Sequence, residues 1–178
     1  MSKNGFTLIE MMVAVAIFAS VVTAVSMLFV SAICAQRQSL ALQELLDQTS
    51  YVMEYMSRTI RMAKKDMDGA CTGTAKLNYY FAGQCLKFKN YKGECQQFCL
   101  DGTAIKETID FGAPIELTSP DLKIYPLEET GEWIELSGET QDDEFQPLVS
   151  ILLKIEGKEQ SKIQTKTSVS QRDLDVMK

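Results

Sequence analysis

At 178 residues the chain has room for one modest domain and a membrane segment. Its net charge of −6 opposes a nucleic-acid backbone, which needs clustered Lys and Arg, so no nucleic-acid partner is expected. It contains no His, which excludes His-based general base catalysis and His-ligated metal sites.

The N-terminus reads Gly5-Phe6-Thr7-Leu8-Ile9-Glu10, and the 25 residues from Met11 to Ala35 hold no charge, Gly or Pro. A bilayer-spanning helix needs about 20 apolar residues, so this run is long enough. A secretory signal peptide has a shorter apolar core, about 7–15 residues, behind a basic start, whereas here Lys3 is the one leading charge. A lipoprotein signal ending at Cys34 would place bulky Ile33 where a small residue belongs. A plain single-span anchor explains the length but not Glu10. A carboxylate in or beside a membrane segment is unfavourable by a few kcal/mol at the bilayer centre and less near an edge, so it calls for a partner.

The helical pattern continues past the polar exit Gln36-Arg37-Gln38, with no Gly or Pro between Gly5 and Gly69. Leu42, Leu45, Leu46, Val52, Met53, Met56, Ile60 and Ala63 recur at helical spacing, as on one buried face. Gln43, Glu44, Asp47, Gln48, Glu54, Arg58 and Arg61 hold the opposite face. Lys64 and Lys65 suit a last turn, and Asp68-Gly69 a stop. A helix from Phe6 to about Asp66 would be roughly 90 Å long at 1.5 Å per residue. Its stripe does not keep the strict heptads of a coiled coil, so a sheet is the expected partner.

From Ala70 onward short β-favouring runs alternate with turn residues. Strands are expected over Lys76–Phe81, Cys85–Phe88, Ile105–Phe111 and Leu122–Leu127. A final hairpin is expected from Val149, Ile151, Leu153 and Ile155, through Gly157, to Ile163–Val169. Pro114, Pro120, Pro126 and Pro147 bracket these runs. The last six residues, 173–178, read as a frayed tail.

Cys71, Cys85, Cys95 and Cys99 lie within 29 residues beyond the apolar run. They read as two disulfides with three possible pairings. A four-thiolate zinc site is the rival, although two close C-x-x-C pairs are absent. Cys34 is left over as a small apolar residue. Gln141-Asp142-Asp143-Glu144 could offer oxygen ligands to Ca²⁺, but a solvated charged turn is the better reading, and no metal or other cofactor is expected. Trp133 and the tyrosines suit sheet packing. No catalytic triad or Gly-rich phosphate loop is present, so a non-enzyme is expected.

The junction Gly5-Phe6-Thr7-Leu8-Ile9-Glu10, followed by Met11-Met12-Val13-Ala14, resembles that of type IV pilins and pseudopilins. The resemblance implies an α+β, pilin-like fold: one very long N-terminal helix, transmembrane in its first half, packed on a C-terminal antiparallel β-sheet head. It implies a leader at 1–5, a membrane and filament-core helix at 6–35, an amphipathic continuation at 36–68 and an extracytoplasmic head at 69–178. A prepilin peptidase would cut between Gly5 and Phe6 and N-methylate Phe6. Glu10 would be the assembly carboxylate, meeting the Phe6 amine of a neighbouring subunit.

The implied partners are other pilin or pseudopilin subunits, the peptidase, an inner-membrane assembly platform and the bilayer. The implied location is the inner membrane, with the head outside, and then a cell-surface or periplasmic filament. Ala16-Ile17-Phe18, Arg58-Thr59-Ile60-Arg61, Thr118-Ser119-Pro120 and Gln146-Pro147-Leu148-Val149 are similar to minor subunits of the J and W types. A minor subunit of a type IV pilus or of a type II secretion or competence pseudopilus is therefore expected. The alternative is a non-polymerising single-pass protein with a disulfide-bonded binding head. The family's frequent Pro within the spanning helix is missing, since the first Pro is Pro114.

Overall fold

A computed structural model describes residues 5, 7–110, 112–127, 131–138 and 146–172. The chain divides into two compact units, residues 1–40 and 41–178. Helix α1 (Leu8–Arg61) supplies the first and opens the second.

In the first unit every residue from Leu8 to Leu40 is exposed except half-buried Ile33. An apolar helix with no protein around it needs lipid or other helices. Its most apolar 18-residue window has a mean hydropathy of 2.5, enough by length and composition to cross a membrane. Three hydroxyls within it are satisfied by the helix itself: Ser20 Oγ, Thr23 Oγ1 and Ser26 Oγ donate to the carbonyls of Ile17, Ala19 and Val22 at 2.7, 2.8 and 2.8 Å. These groups therefore make no demand for water inside a bilayer.

The second unit joins the rest of α1 to two antiparallel sheets. The first is a meander of β1 (Tyr79–Ala82), β2 (Cys85–Lys89), β3 (Cys95–Asp101), β4 (Ala104–Ile109) and β5 (Ile115–Glu116), in that order. The second contains β6 (Lys123–Pro126), β7 (Ile134–Ser137), β8 (Leu148–Glu156) and β9 (Lys162–Ser170). Strand β9 pairs along the whole of β8, while β6 and β7 share its other edge, β6 at Leu153–Glu156 and β7 at Leu148–Ile151.

The expected final hairpin forms with Val149 opposite Val169, Leu153 opposite Thr165 and Ile155 opposite Ile163. Alternation understates β8, because Leu152 and Ser150, on the other face, are buried too. The expected early strands are present but shifted: β1 begins at Tyr79, β4 ends at Ile109 and β6 spans Lys123–Pro126. Three strands, β3, β5 and β7, are additional to the sequence reading.

The core lies between α1 and both sheets. Leu45, Val52, Met53, Met56, Ile60 and Ala63 meet Leu86, Phe88, Phe98 and Ile105 from one sheet and Ile124, Ile151, Leu153 and Ile155 from the other. Leu42 and Leu46, expected on this face, are exposed, and Ala41 and Thr49 are buried instead. Trp133 is fully buried, and its Nε1–H donates to the Gln84 carbonyl at 3.0 Å, so it packs rather than lining a binding surface.

The helix stops at Arg61, five residues before the expected Asp66. Tertiary partners take over its end. Tyr79 Oη donates to Ile60 O (2.8 Å), Arg172 N to Arg61 O (2.8 Å) and Gln171 Nε2 to Ala63 O (2.8 Å). The segment after it is held by bridges from Lys64 to Lys89 and from Asp66 to Leu77. With these carbonyls and amides satisfied elsewhere, a further helical turn would gain nothing. Arg58 and Arg61, not Lys64 and Lys65, occupy the last turn.

Buried Asp66 organises the loop that leads to β1. Its Oδ2 accepts from Cys71 N (2.9 Å), Thr72 N (2.9 Å) and Thr72 Oγ1 (3.0 Å), while Lys89 Nζ lies 3.6 Å from Oδ1. Burial acts to raise the Asp66 carboxyl, but hydrogen bonds led by the Thr72 N–H outweigh it and hold the group well below the usual aspartate range.

Candidate functional site: the N-terminal junction

The junction is built by the start of α1. The first backbone N–H groups of a helix have no partner within it, so a side chain must supply one. Thr7 stands just before the helix and Glu10 closes its first turn. Thr7 N donates to Glu10 Oε2 at 2.8 Å, Thr7 Oγ1 donates to the same oxygen at 2.8 Å, and Glu10 N lies 3.4 Å from Thr7 Oγ1. This is a capping box, in which each residue satisfies the other's backbone N–H. The carboxylate also sits at the positive end of the helix dipole.

The sequence carried the signal for this arrangement, because Thr7-Leu8-Ile9-Glu10 has the T-x-x-E spacing. Reading Glu10 as a lone acid seeking an intermolecular partner overlooked Thr7. The box means that one chain by itself already provides polar contacts for the carboxylate. Any partner from another chain must compete with, or add to, those two hydrogen bonds. Beyond Glu10 the surface is apolar, with Ile9, Val13, Ala14 and Ile17 exposed. A single carboxylate at the head of an apolar helix can fix the register of a second helix by charge, while the apolar surface supplies contact area.

Gly5 is described and exposed, with nothing within 4 Å of the position a Cβ would take. Phe6 lies outside the described residues, as do residues 1–4, residues 173–178 and the acidic run with Asp142, Asp143 and Glu144.

The four clustered cysteines are used in pairs, not around one ion. Cys71 bonds Cys95 and Cys85 bonds Cys99, with Cα–Cα separations of 5.2 and 4.0 Å. Cys85 and Cys99 are directly opposite in the β2–β3 ladder, so their bond ties strands that are already paired. Cys71 lies in the irregular segment after α1, so its bond pins that segment to the start of β3. Cys34 is unpaired and exposed on the apolar helix. Among the described residues no cluster of three or more His, Cys, Asp or Glu is placed to hold a metal ion.

A polar cluster between α1 and the first sheet is structural. Tyr55 Oη donates to Glu107 Oε1 at 2.7 Å, and Gln96 Nε2 donates to the same oxygen. Burial, with the adjoining Glu107 carboxylate, pushes the Tyr55 hydroxyl up to about 12. The cluster joins α1 to β3 and β4 and leaves no reactive group free.

Comparison with known proteins matches residues 1–26 to the prokaryotic N-terminal methylation motif. No curated protein and no solved structure matches the chain. The matched stretch contains Gly5, Thr7 and Glu10 and runs well into the apolar part of α1. Behind it stands the long helix packed on an antiparallel sheet head. The chain is thus similar to N-terminally methylated prokaryotic proteins over this motif, and the long helix packed on an antiparallel sheet head behind it has a pilin-like α+β architecture.

Proposed function

We propose that the chain is a structural subunit, of the minor class, in a type IV pilus or a type II secretion or competence pseudopilus. A prepilin peptidase cuts between Gly5 and Phe6 and methylates the new Phe6 amine. The precursor is held in the inner membrane by the apolar half of α1 with its head outside. An assembly platform then moves it into a helical filament with other subunits. The chain is a substrate of processing enzymes and catalyses nothing itself.

One observation carries this reading: Glu10 stands within a matched methylation motif at the head of a helix that is apolar through Ala35 and, but for half-buried Ile33, exposed. Lipid satisfies such a surface in the precursor and neighbouring helices satisfy it in a filament. The Phe6 amine of a neighbour is the cation that Glu10 would meet on assembly, replacing or sharing the contacts made by Thr7. The minor assignment rests on the similarity of four short segments, beginning with Ala16-Ile17-Phe18.

The test is Glu10→Ala in the native host, with sheared filament fractions and membranes blotted separately. The expected result is a processed subunit in the membrane fraction and its loss from filaments. Incorporation at the wild-type level would contradict the assembly role, and a head that never enters filaments in the wild type would favour a single-pass binding protein.

A further inference from the structure

Strand β9 leaves one side of the second sheet open. Its sequence, Lys162-Ile163-Gln164-Thr165-Lys166-Thr167-Ser168-Val169-Ser170, has no Pro or Gly, and it pairs with β8 at every position without a bulge. In an antiparallel ladder, residues that bond their partner alternate with residues that turn both backbone groups away. The bonded set is fixed at the two ends, where Gly157 N donates to Ser161 O at 2.9 Å and Gln171 N to Pro147 O at 3.2 Å. Every second residue from Ser161 on, Ile163, Thr165, Thr167 and Val169, therefore bonds β8. Lys162, Gln164, Lys166, Ser168 and Ser170 point their N–H and C=O outward, and these groups have no hydrogen-bond partner among the described residues. An edge so long and regular is a template for another strand.

The side chains define the strand that fits. Residues opposite one another across a ladder share a face. On the face that carries Lys162 and Lys166, the register also places Lys123, Lys154, Glu135 and Glu156. Glu156 is shared by Lys162 at 3.0 Å and Lys154 at 3.3 Å, while Glu135 lies 3.7 Å from Lys166. Lysine is thus in excess on this face of a chain whose net charge is −6. The Lys162 and Lys166 side chains stay 57 and 56% exposed, open to carboxylates on an added strand. On the other face Ile163 packs at the border of the core, with Thr165 and Thr167 half-buried beside it, so apolar residues of an added strand would extend that border. A second copy of β9 does not meet these demands. Full antiparallel overlap sets Lys166 against Lys166 of the copy, and like charges directly opposite are destabilising.

We propose that the open edge of β9 is a docking site for an extended segment of a partner protein, which adds as a further antiparallel strand. The segment carries carboxylates opposite Lys162 and Lys166, and β-branched apolar residues opposite Ile163, Thr165 and Thr167. Backbone bonds to the outward groups of β9 supply the affinity, and the two lysines reject basic strands and select acidic ones. The site lies on the head and holds whether or not the chain enters a filament.

The test uses the full chain in detergent micelles and the peptide acetyl-Thr-Val-Thr-Val-Glu-Val-Thr-Val-Glu-amide, whose carboxylates fall opposite Lys162 and Lys166 in full antiparallel overlap. The readout is amide hydrogen exchange. In the chain alone the N–H groups of Gln164, Lys166 and Ser168 should exchange rapidly while those of Thr165 and Thr167 are protected. Protection of all five without peptide would overturn the proposal, since the edge would then be covered by the chain itself. Saturating peptide should slow exchange at Gln164, Lys166 and Ser168 about tenfold, and unchanged rates would overturn the proposal. The same peptide N-methylated on the central Glu and on the Thr at either side of it, the residues whose N–H groups face β9, should give no slowing, and equal slowing would overturn pairing through the edge. Lys in place of both Glu residues should weaken binding roughly fivefold, and Lys166→Glu should halve that preference or more, whereas a basic peptide that binds as well as the acidic one would overturn the assigned partner chemistry.

Discussion

Replacing Asp66 with Ala removes the acceptor that organises the segment between α1 and β1. Two backbone donors lose their partner at once, the N–H groups of Cys71 and Thr72, each 2.9 Å from Oδ2, while the Thr72 hydroxyl, 3.0 Å from Oδ2, is left with the Thr74 carbonyl at 2.8 Å. Hydrogen bonds to a charged group contribute about 1.5–3 kcal/mol each, and a buried donor left without a partner costs about 1–3 kcal/mol. Water reaching the loosened loop recovers part of this, so a net loss of about 3–5 kcal/mol is expected. At roughly 2–4 °C per kcal/mol for a domain of this size, the melting temperature falls by about 10 °C.

Asp66→Asn keeps an acceptor oxygen but loses the charge and the ion pair with Lys89, and should fall about midway. The assay is thermal unfolding in detergent, followed by Trp133 fluorescence, since Trp133 is fully buried in the head. A loss below about 1 kcal/mol for Asp66→Ala would refute the view that this carboxylate organises the loop. The pH dependence has a definite sign. The folded Asp66 carboxyl lies below its ordinary value of 3.8, so its contribution is complete above that value. It is lost as pH falls below 3.8 toward the depressed folded value, and the Asp66→Asn variant should lack that part of the acid destabilisation.

Removing Cys71–Cys95 with paired Ser substitutions should lower stability by about 3 kcal/mol, read by denaturant unfolding. Removing Cys85–Cys99 should cost less, because β2 and β3 are already held by their ladder, and the reverse order would contradict this account. Tyr55→Phe leaves Glu107 with one fewer donor and should cost about 1–3 kcal/mol in the same unfolding assay. In a spectrophotometric titration the Tyr55 phenol should ionise near pH 12, and phenolate formation at Tyr55 by about pH 10 would contradict its burial beside a carboxylate. Thr7→Val should leave α1 intact beyond its first turn yet remove one of the two donors to the Glu10 carboxylate and the acceptor for the Glu10 N–H, observable as weaker protection of the first-turn amides against hydrogen exchange.

The features legible in the sequence are those whose side chains repeat a simple period. The apolar run, the core stripe from Leu45 to Ala63 and the β8–β9 hairpin are of this kind. Strand β3 escaped because its inward side reads Gln96, Phe98, Leu100, and a buried Gln breaks the apolar alternation. Gln96 is inside because Glu107 on β4 is inside, each satisfying the other across the sheet. A compensated polar pair is invisible one strand at a time.

Strands β5 and β7 are two and four residues long, too short for a period to show. The end of α1 was misplaced for a related reason. Residues 62–66 keep helix-favouring side chains, but Tyr79, Lys89 and Arg172, distant in sequence, take the backbone groups that a further turn would use. At the junction, spacing exposed the motif, the T-x-x-E capping box was present in the spacing but not read from it, and the cysteine pairing needed the fold to bring Cys71 beside Cys95.

The most direct measurement is the mass of the N-terminal peptide of the protein taken from its native membrane. The account predicts a peptide that begins at Phe6, carries one added methyl on its amine and lacks residues 1–5. A mature chain that still begins at Met1, or a Phe6 terminus without the methyl, would contradict it.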